Sequence, residues 1–288
     1  MKRILSVLIL TLLLSQPSYA ETWTSLFDKD SVEYQQRAIT KMLKSQVRYA
    51  NKNNFEKFIS TYSDNYKNSD GFDLNVYSTL VKNFWETYGN IKYGVEIKKI
   101  TLDENKAIVE VCETSFAEIP VSKLYDGELK SSADAVYYLE KFGKRWKVVS
   151  DRVLDETTTM LYGEAKDLDI RLTVPLTIGS NTDYTASLEF VPPSGTLAIA
   201  SIAADKVEYP QKPTKEVFRT LPDDNILERI FTSNDENANE YVVASIGLTK
   251  TSVCDLSVKM SLTGFGYAIK RVNVLPKQKE IEEGESNE

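Results

Sequence analysis

The sequence predicts an α+β first half followed by an all-β second half. Three observations carry this. Apolar residues recur every three to four positions across residues 31–90, the spacing of helices with one buried stripe. From residue 91 to 154 the period changes to two, the spacing of strands with one buried face. Residues 168–276 are short β-like runs separated by Gly, Pro, Asn and Ser turns.

The helices come first. Ala38/Ile39, Met42/Leu43, Val47 and Ala50 form one stripe. Asn51 to Asn54 interrupts it, and Asn54 has the chemistry of an N-cap. Phe55, Phe58, Ile59 and Tyr62 then give a short second helix. Ser63 to Gly71 is a polar turn. Asp73 can cap a third helix with Val76, Leu80, Phe84 and Tyr88 on one face, and Gly89 stands where a C-terminal glycine belongs.

Four strands follow: Ile91 to Ile97, residues 106–118, residues 133–142 and residues 145–154. Asp103-Glu104-Asn105 and Gly143-Lys144 supply turns. Residues 121–132 are polar and carry Gly127, which reads as a loop or ragged edge. In the second half, seven or eight strands over about 110 residues suggest a β-sandwich of immunoglobulin-like size. No Trp lies beyond residue 146, so the antibody Cys…Trp…Cys pattern is absent. Residues 222–231 fit either a strand or a short helix capped by Asp223 or Asp224.

The N-terminus gives the address. Lys2 and Arg3 precede an apolar run, Ile4 to Leu14, and Ser18-Tyr19-Ala20 has the small-residue spacing of a signal-peptidase site. The run is shorter than the ~20 residues that span a bilayer. Cleavage after Ala20 predicts a periplasmic or secreted chain with no membrane span after cleavage, 33 basic against 42 acidic residues. The expected organisation is signal peptide 1–20, linker 21–30, α+β domain 31–162, β-sandwich 163–276 and a disordered acidic tail 277–288. In an oxidising compartment Cys112 and Cys254 are candidates for one disulfide; two separate buried thiols are the alternative.

Composition removes several chemistries. The chain of 288 residues has 35 basic and 42 acidic residues and no histidine. Histidine triads and histidine metal sites are excluded, and the net charge of -7 argues against a nucleic-acid protein. Two cysteines are too few for a cysteine zinc site or iron–sulfur cluster. Asn68-Ser69-Asp70-Gly71-Phe72-Asp73 fails as a calcium loop, because Tyr66 and Tyr77 stand where its terminal ligands belong. Gly264-Phe265-Gly266 lacks the Lys-Ser/Thr of a phosphate loop. Neither a metal nor a cofactor is implied.

Helices followed by an antiparallel sheet ending in a hairpin resemble the nuclear transport factor two-like superfamily. These are cystatin-like α+β cones that include SnoaL-like and ketosteroid-isomerase-like proteins. The residues that carry the resemblance are Tyr62, Tyr66 and Asp70-Gly71, and the hairpin Gly143-Lys144-Arg145-Trp146-Lys147-Val148. The resemblance implies a pocket between sheet and helices, with Tyr62, Tyr66, Tyr77, Trp85, Tyr138 and Asp70 as candidate lining residues. Packing of a solid core by the same rings is the alternative. Asp70, Asp73 and Glu110 are available carboxylates, but their spacing marks no catalytic pair, and no catalytic position of the superfamily maps onto this chain.

Two functions are compatible with these features. One is an exported, non-catalytic binding protein of the bacterial cell envelope, taking a small apolar ligand, a glycan or another envelope protein. The other is an isomerase or hydratase using Tyr and Asp in the cone. A carboxylate facing an open cavity within reach of a tyrosine would favour the second. Domains of this type often pair through their sheets, so homodimerisation and cover by the second half both stay open.

Overall fold

The computed structural model of the chain describes residues 31–119, 125–212, 215–254 and 257–276. The expected signal peptide, linker and acidic tail lie outside the described residues. Helix α1 spans Val32–Ala50, with Ser31 accepting a hydrogen bond from the Tyr34 amide at its start. Helix α2, Phe55–Ile59, is capped by Asn54, whose side chain accepts from the Lys57 amide. Helix α3, Leu74–Tyr88, is capped by Asp73 accepting from the Asn75 and Val76 amides, and ends at Gly89 with φ +62°. All three expected caps are in place. Each relieves a helix-end amide or carbonyl that has no partner within the helix.

The strands β1 (Lys92–Asp103), β2 (Lys106–Ile119), β3 (Gly127–Phe142) and β4 (Arg145–Gly163) form an antiparallel meander. Strand β3 begins six residues before the expected start, because Gly127 to Ser132 pair with Thr114 to Ile119 of β2. The stretch read as a ragged edge is therefore partly strand. Register shifts at Ile97/Lys99, Asp134/Ala135 and Tyr138/Leu139 bend the meander. It wraps α1, whose Ile39 and Leu43 are fully buried among Val109, Val111, Leu139 and Val148. Trp146 fixes the closing hairpin to α1: its Nε1 donates to Gln35 Oε1 at 2.9 Å.

The second half departs from the expectation of a separate sandwich. Its strands are β5 (Arg171–Thr173), β6 (Thr177–Gly179), β7 (Asp183–Glu189), β8 (Thr196–Lys206), β9 (Arg219–Thr220), β10 (Ile226–Thr232), β11 (Glu240–Cys254) and β12 (Ser257–Leu275). Residues 226–232 are strand, which settles the helix alternative, since they pair with β7 along their length. Strands β10, β7 and β5 make a small sheet. It packs through Tyr184, Ala186 and Leu188, with Phe190 just beyond β7, on Ala200, Ile202, Val242, Ala244 and Ile246 of a larger sheet. That larger sheet is the β1–β4 meander continued: its order is β1-β2-β3-β4-β12-β11-β8-β9, with β6 beside β12. The last seven residues of β4, Thr157 to Gly163, pair with Lys270 to Gly264 of β12.

The hand-over depends on glycine. Gly163 has φ +58°, and a Cβ there would lie 2.4 Å from the Thr263 carbonyl oxygen. A left-handed backbone and a backbone clash coincide. We expect Gly163→Ala to lower stability by roughly 1–3 kcal/mol, read as the urea midpoint of unfolding. An unchanged midpoint would show that the chain leaves β4 by another path.

A buried ion pair also joins the halves. Asp70, in the loop between α2 and α3, pairs with Arg271 of β12 at 2.5 Å. Arg271 is 1% exposed, and its Nε donates to Asn273 Oδ1 at 3.1 Å. Asn239 Nδ2 donates to Asp70 Oδ1 at 2.7 Å. A buried guanidinium is tolerated only when its partners satisfy it, so the α2–α3 loop and β12 must pack together.

Candidate functional site

Between the meander and helices α1 and α3 lies a cavity of about 500 Å³. Its formation follows from strand alternation. In β2, Ala107, Val109 and Val111 point inward and are buried in the core with α1. The next two inward positions are Glu113 and Ser115, and both line the cavity. In β3 the inward set Tyr137, Ala133 and Ser131 runs from bulky to small. Small side chains on the sheet face bulky ones on the helices, Tyr77, Leu80, Val81, Phe84 and Trp85 of α3, and the gap between them is the cavity.

Beside Gln46, Thr114, Ser115 and Ser131, the wall carries tyrosines paired with carboxyls and with one another. The Tyr137 hydroxyl donates to Glu113 Oε1, and the Tyr241 hydroxyl donates to Glu156 Oε2 at 2.9 Å. The Tyr62 and Tyr77 hydroxyls lie 2.9 Å apart, and Trp85 Nε1 donates to the Tyr93 hydroxyl at 2.9 Å. Tyr241 belongs to β11, so the second half supplies one wall residue of the cone.

Burial pushes the Glu113 carboxyl up from 4.5 to about 7; the Tyr137 hydrogen bond opposes this, and Asp151 and Glu156 add to it. Burial raises Glu156 as well, against the Tyr241 hydrogen bond and the Arg271 charge. Asp151, behind the wall, is raised to about 6 by burial, partly offset by the Tyr66 hydroxyl, which donates to it at 2.5 Å. The tyrosines move the same way: burial holds Tyr62 and Tyr77 well above 10 and takes Tyr93 to about 12. Near neutral pH the wall therefore offers one carboxyl close to its midpoint among hydroxyls that keep their protons. Such a carboxyl can accept or return a proton without a large driving force against it.

The six expected lining residues divide evenly. Tyr62, Tyr77 and Trp85 line the cavity. Tyr66 stands behind it, packed on the rings of Tyr62 and Tyr77 and bound to Asp151. Tyr138 is on the outer face of β3 and is exposed. Asp70 is held by Arg271. Of the other carboxylates considered, Asp73 is the α3 cap, and Glu110 is on the outer face opposite Lys99 at 3.8 Å. Glu113, Glu156, Tyr93, Tyr137 and Tyr241 were not anticipated. Strand parity could have found two of them: Glu113 continues the inward series of Ala107, Val109 and Val111, and Tyr137 lies between inward Ala135 and Leu139. Cys112 carries a free thiol, 3.8 Å from the Ser132 hydroxyl. The side chain of Cys254 lies outside the described residues. No group of metal-ligating side chains occurs among the described residues, and no helix there is long and apolar enough to cross a membrane.

No family model matches the chain, and no curated protein matches it. Among solved structures it is similar to Bd1075 of Bdellovibrio bacteriovorus, with 14% identity and a TM-score of 0.36 over 44% of this chain and 42% of that protein. The match thus spans under half the length of Bd1075. A cystatin-like-fold protein of unknown function from Nostoc punctiforme matches at 11% identity, TM-score 0.33, over 41% of this chain and 88% of that one. An NTF2-like protein of unknown function from Pseudomonas putida matches at 11% identity, TM-score 0.29, over 40% and 82%.

Proposed function

We propose that this is an exported protein of the bacterial cell envelope that binds a small molecule in the cavity of its cone. The observation that carries the reading is the cavity itself: about 500 Å³, with aromatic walls and a few convergent polar groups. That is the usual make-up of a small-molecule site. Export rests on the N-terminal sequence, Lys2-Arg3, the apolar run and Ser18-Tyr19-Ala20.

The test is binding of the neutral fluorophore N-phenyl-1-naphthylamine to the full chain and to Ala133→Trp. Ala133 is on the cavity wall, so an indole there fills the space. We expect saturable binding by the parent chain and at least roughly ten-fold weaker binding by the variant, the loss of about 1.4 kcal/mol. A thermal melt confirms that the variant is folded. Equal binding by both chains would place the ligand site elsewhere.

A second reading is favoured by one specific observation. Glu113 is a carboxyl near its midpoint at neutral pH, bonded to the Tyr137 hydroxyl in a cavity. That suits an isomerase or hydratase in which Glu113 moves the proton and a tyrosine hydroxyl holds the developing oxyanion. Exchange of α-protons of cyclohexanone in D₂O, faster with the parent chain than with Glu113→Gln, would support it; equal rates would leave binding alone.

A further inference from the structure

The wall of the cavity is one-sided in charge. Two carboxyl groups, Glu113 and Glu156, face it, and its lining includes no Lys or Arg. Arg271 of β12, a buried cation, is held by Asp70 at 2.5 Å and by Asn273. It also lies 6.0 Å from the ring of Tyr241, on the side of β12. Each cavity carboxyl has one oxygen on a tyrosine hydroxyl, Tyr137 on Glu113 Oε1 and Tyr241 on Glu156 Oε2. Among the described residues no positive side chain lines the wall; Arg271 acts on Glu156 from behind Tyr241, and Glu113 has no such cation among the groups that shift it.

The remaining wall is aromatic. Phe58, Tyr62, Tyr77 and Trp85 form one cluster, with ring centroids 5.0 to 6.5 Å apart in the pairs that touch. Aromatic faces carry partial negative charge and attract cations, most strongly where water is excluded. A carboxylate beside such faces is the combination that distinguishes a substituted ammonium from a neutral molecule of the same shape. An anion would meet two carboxyls and the same rings, and would be repelled by both.

Building on the reading of the cavity as a ligand site, we propose that its ligand is an organic cation, an amine or quaternary ammonium on a compact apolar body. The ammonium lies between Glu113, Glu156 and the ring cluster, and the apolar body packs toward Leu80, Val81 and Phe84 of α3. The cation supplies the charge that the wall lacks. The tyrosine hydroxyls, already donating to the carboxyls, hold these in position for it.

The experiment compares choline with 3,3-dimethyl-1-butanol, its neutral isostere in which carbon replaces the ammonium nitrogen. Both are titrated into the full chain at low ionic strength and pH 8, with the indole N–H resonance of Trp85 as reporter. We expect choline to bind roughly ten-fold or more tightly than the isostere, the scale of a desolvated cation on aromatic faces. In E113Q/E156Q the ratio should fall to within about three-fold while the isostere's affinity holds; E113Q alone should lower it part of the way. Equal affinities, or a preference that survives both substitutions, would overturn the proposal. If N-phenyl-1-naphthylamine still binds in the cavity, that result leaves the ligand site standing and removes only the cation. If none of the three probes moves Trp85, the ligand-site reading falls too, and the proposal with it.

Discussion

Replacing Asp70 with alanine is expected to lower stability by about 3–5 kcal/mol, the usual result of leaving one member of a buried ion pair uncompensated. Arg271 is 1% exposed, so its charge depends on protein partners. Without Asp70 its guanidinium keeps Asn273 as its hydrogen-bond partner among the described residues, and Asn239 Nδ2 loses the Asp70 acceptor. The loss should appear as a lower urea midpoint for the whole chain, because the pair ties the α2–α3 loop to β12. The control is the double variant Asp70→Leu, Arg271→Met. Replacing both charges with apolar groups of similar volume is often neutral, so most of the stability should return. An Asp70→Ala variant within 1 kcal/mol of the parent would mean that water reaches the pair.

The second large effect runs the other way. Glu113→Gln is expected to stabilise the protein above pH 7 by up to about 3 kcal/mol. The folded-state value of about 7 lies above the 4.5 of the free group. Below 4.5 the carboxyl is protonated in both states and contributes no difference. Between 4.5 and about 7 the unfolded chain ionises while the folded chain holds its proton, so stability present at low pH is lost as pH rises to the folded value and levels off above it. Glutamine stays neutral and its amide oxygen can still accept the hydrogen bond from the Tyr137 hydroxyl. Urea unfolding of both chains from pH 4.5 to 8 checks this: the curves should coincide at the acid end and separate toward pH 8. Parallel curves would show that Glu113 titrates as an ordinary exposed acid. A site residue whose removal stabilises the fold is the usual mark of a position kept for function.

Much of the cone was legible because its signals are local. Asn54, Asp73 and Gly89 cap helices through atoms within three or four residues of themselves. The hairpin at Gly143 needs only a tight turn and alternation on either side. The continuous sheet was not legible. Thr157-Thr158-Thr159-Met160 has no clear two-residue alternation, and its partners Tyr267 to Lys270 are more than 100 residues away. Nothing within either segment specifies that pairing, so one sheet read as two. The cavity was half legible. Helical spacing marked Leu80 and Phe84, which do line the cavity, and the resemblance supplied Tyr77 and Trp85; on the strands the aromatic and acidic residues were chosen by type and not by parity. Tyr138 and Glu110 are each out of phase with the inward series that contains Tyr137 and Glu113. Glu156 and Tyr241 meet only through the shared sheet, so they could not be found without it.

The most direct test of the ligand site is a crystal structure of the chain grown with N-phenyl-1-naphthylamine. The account predicts the naphthyl ring in the cone cavity, against Trp85 and Tyr77 and within reach of Glu113. A cavity closed by these same side chains, with the fluorophore on another surface, would contradict it.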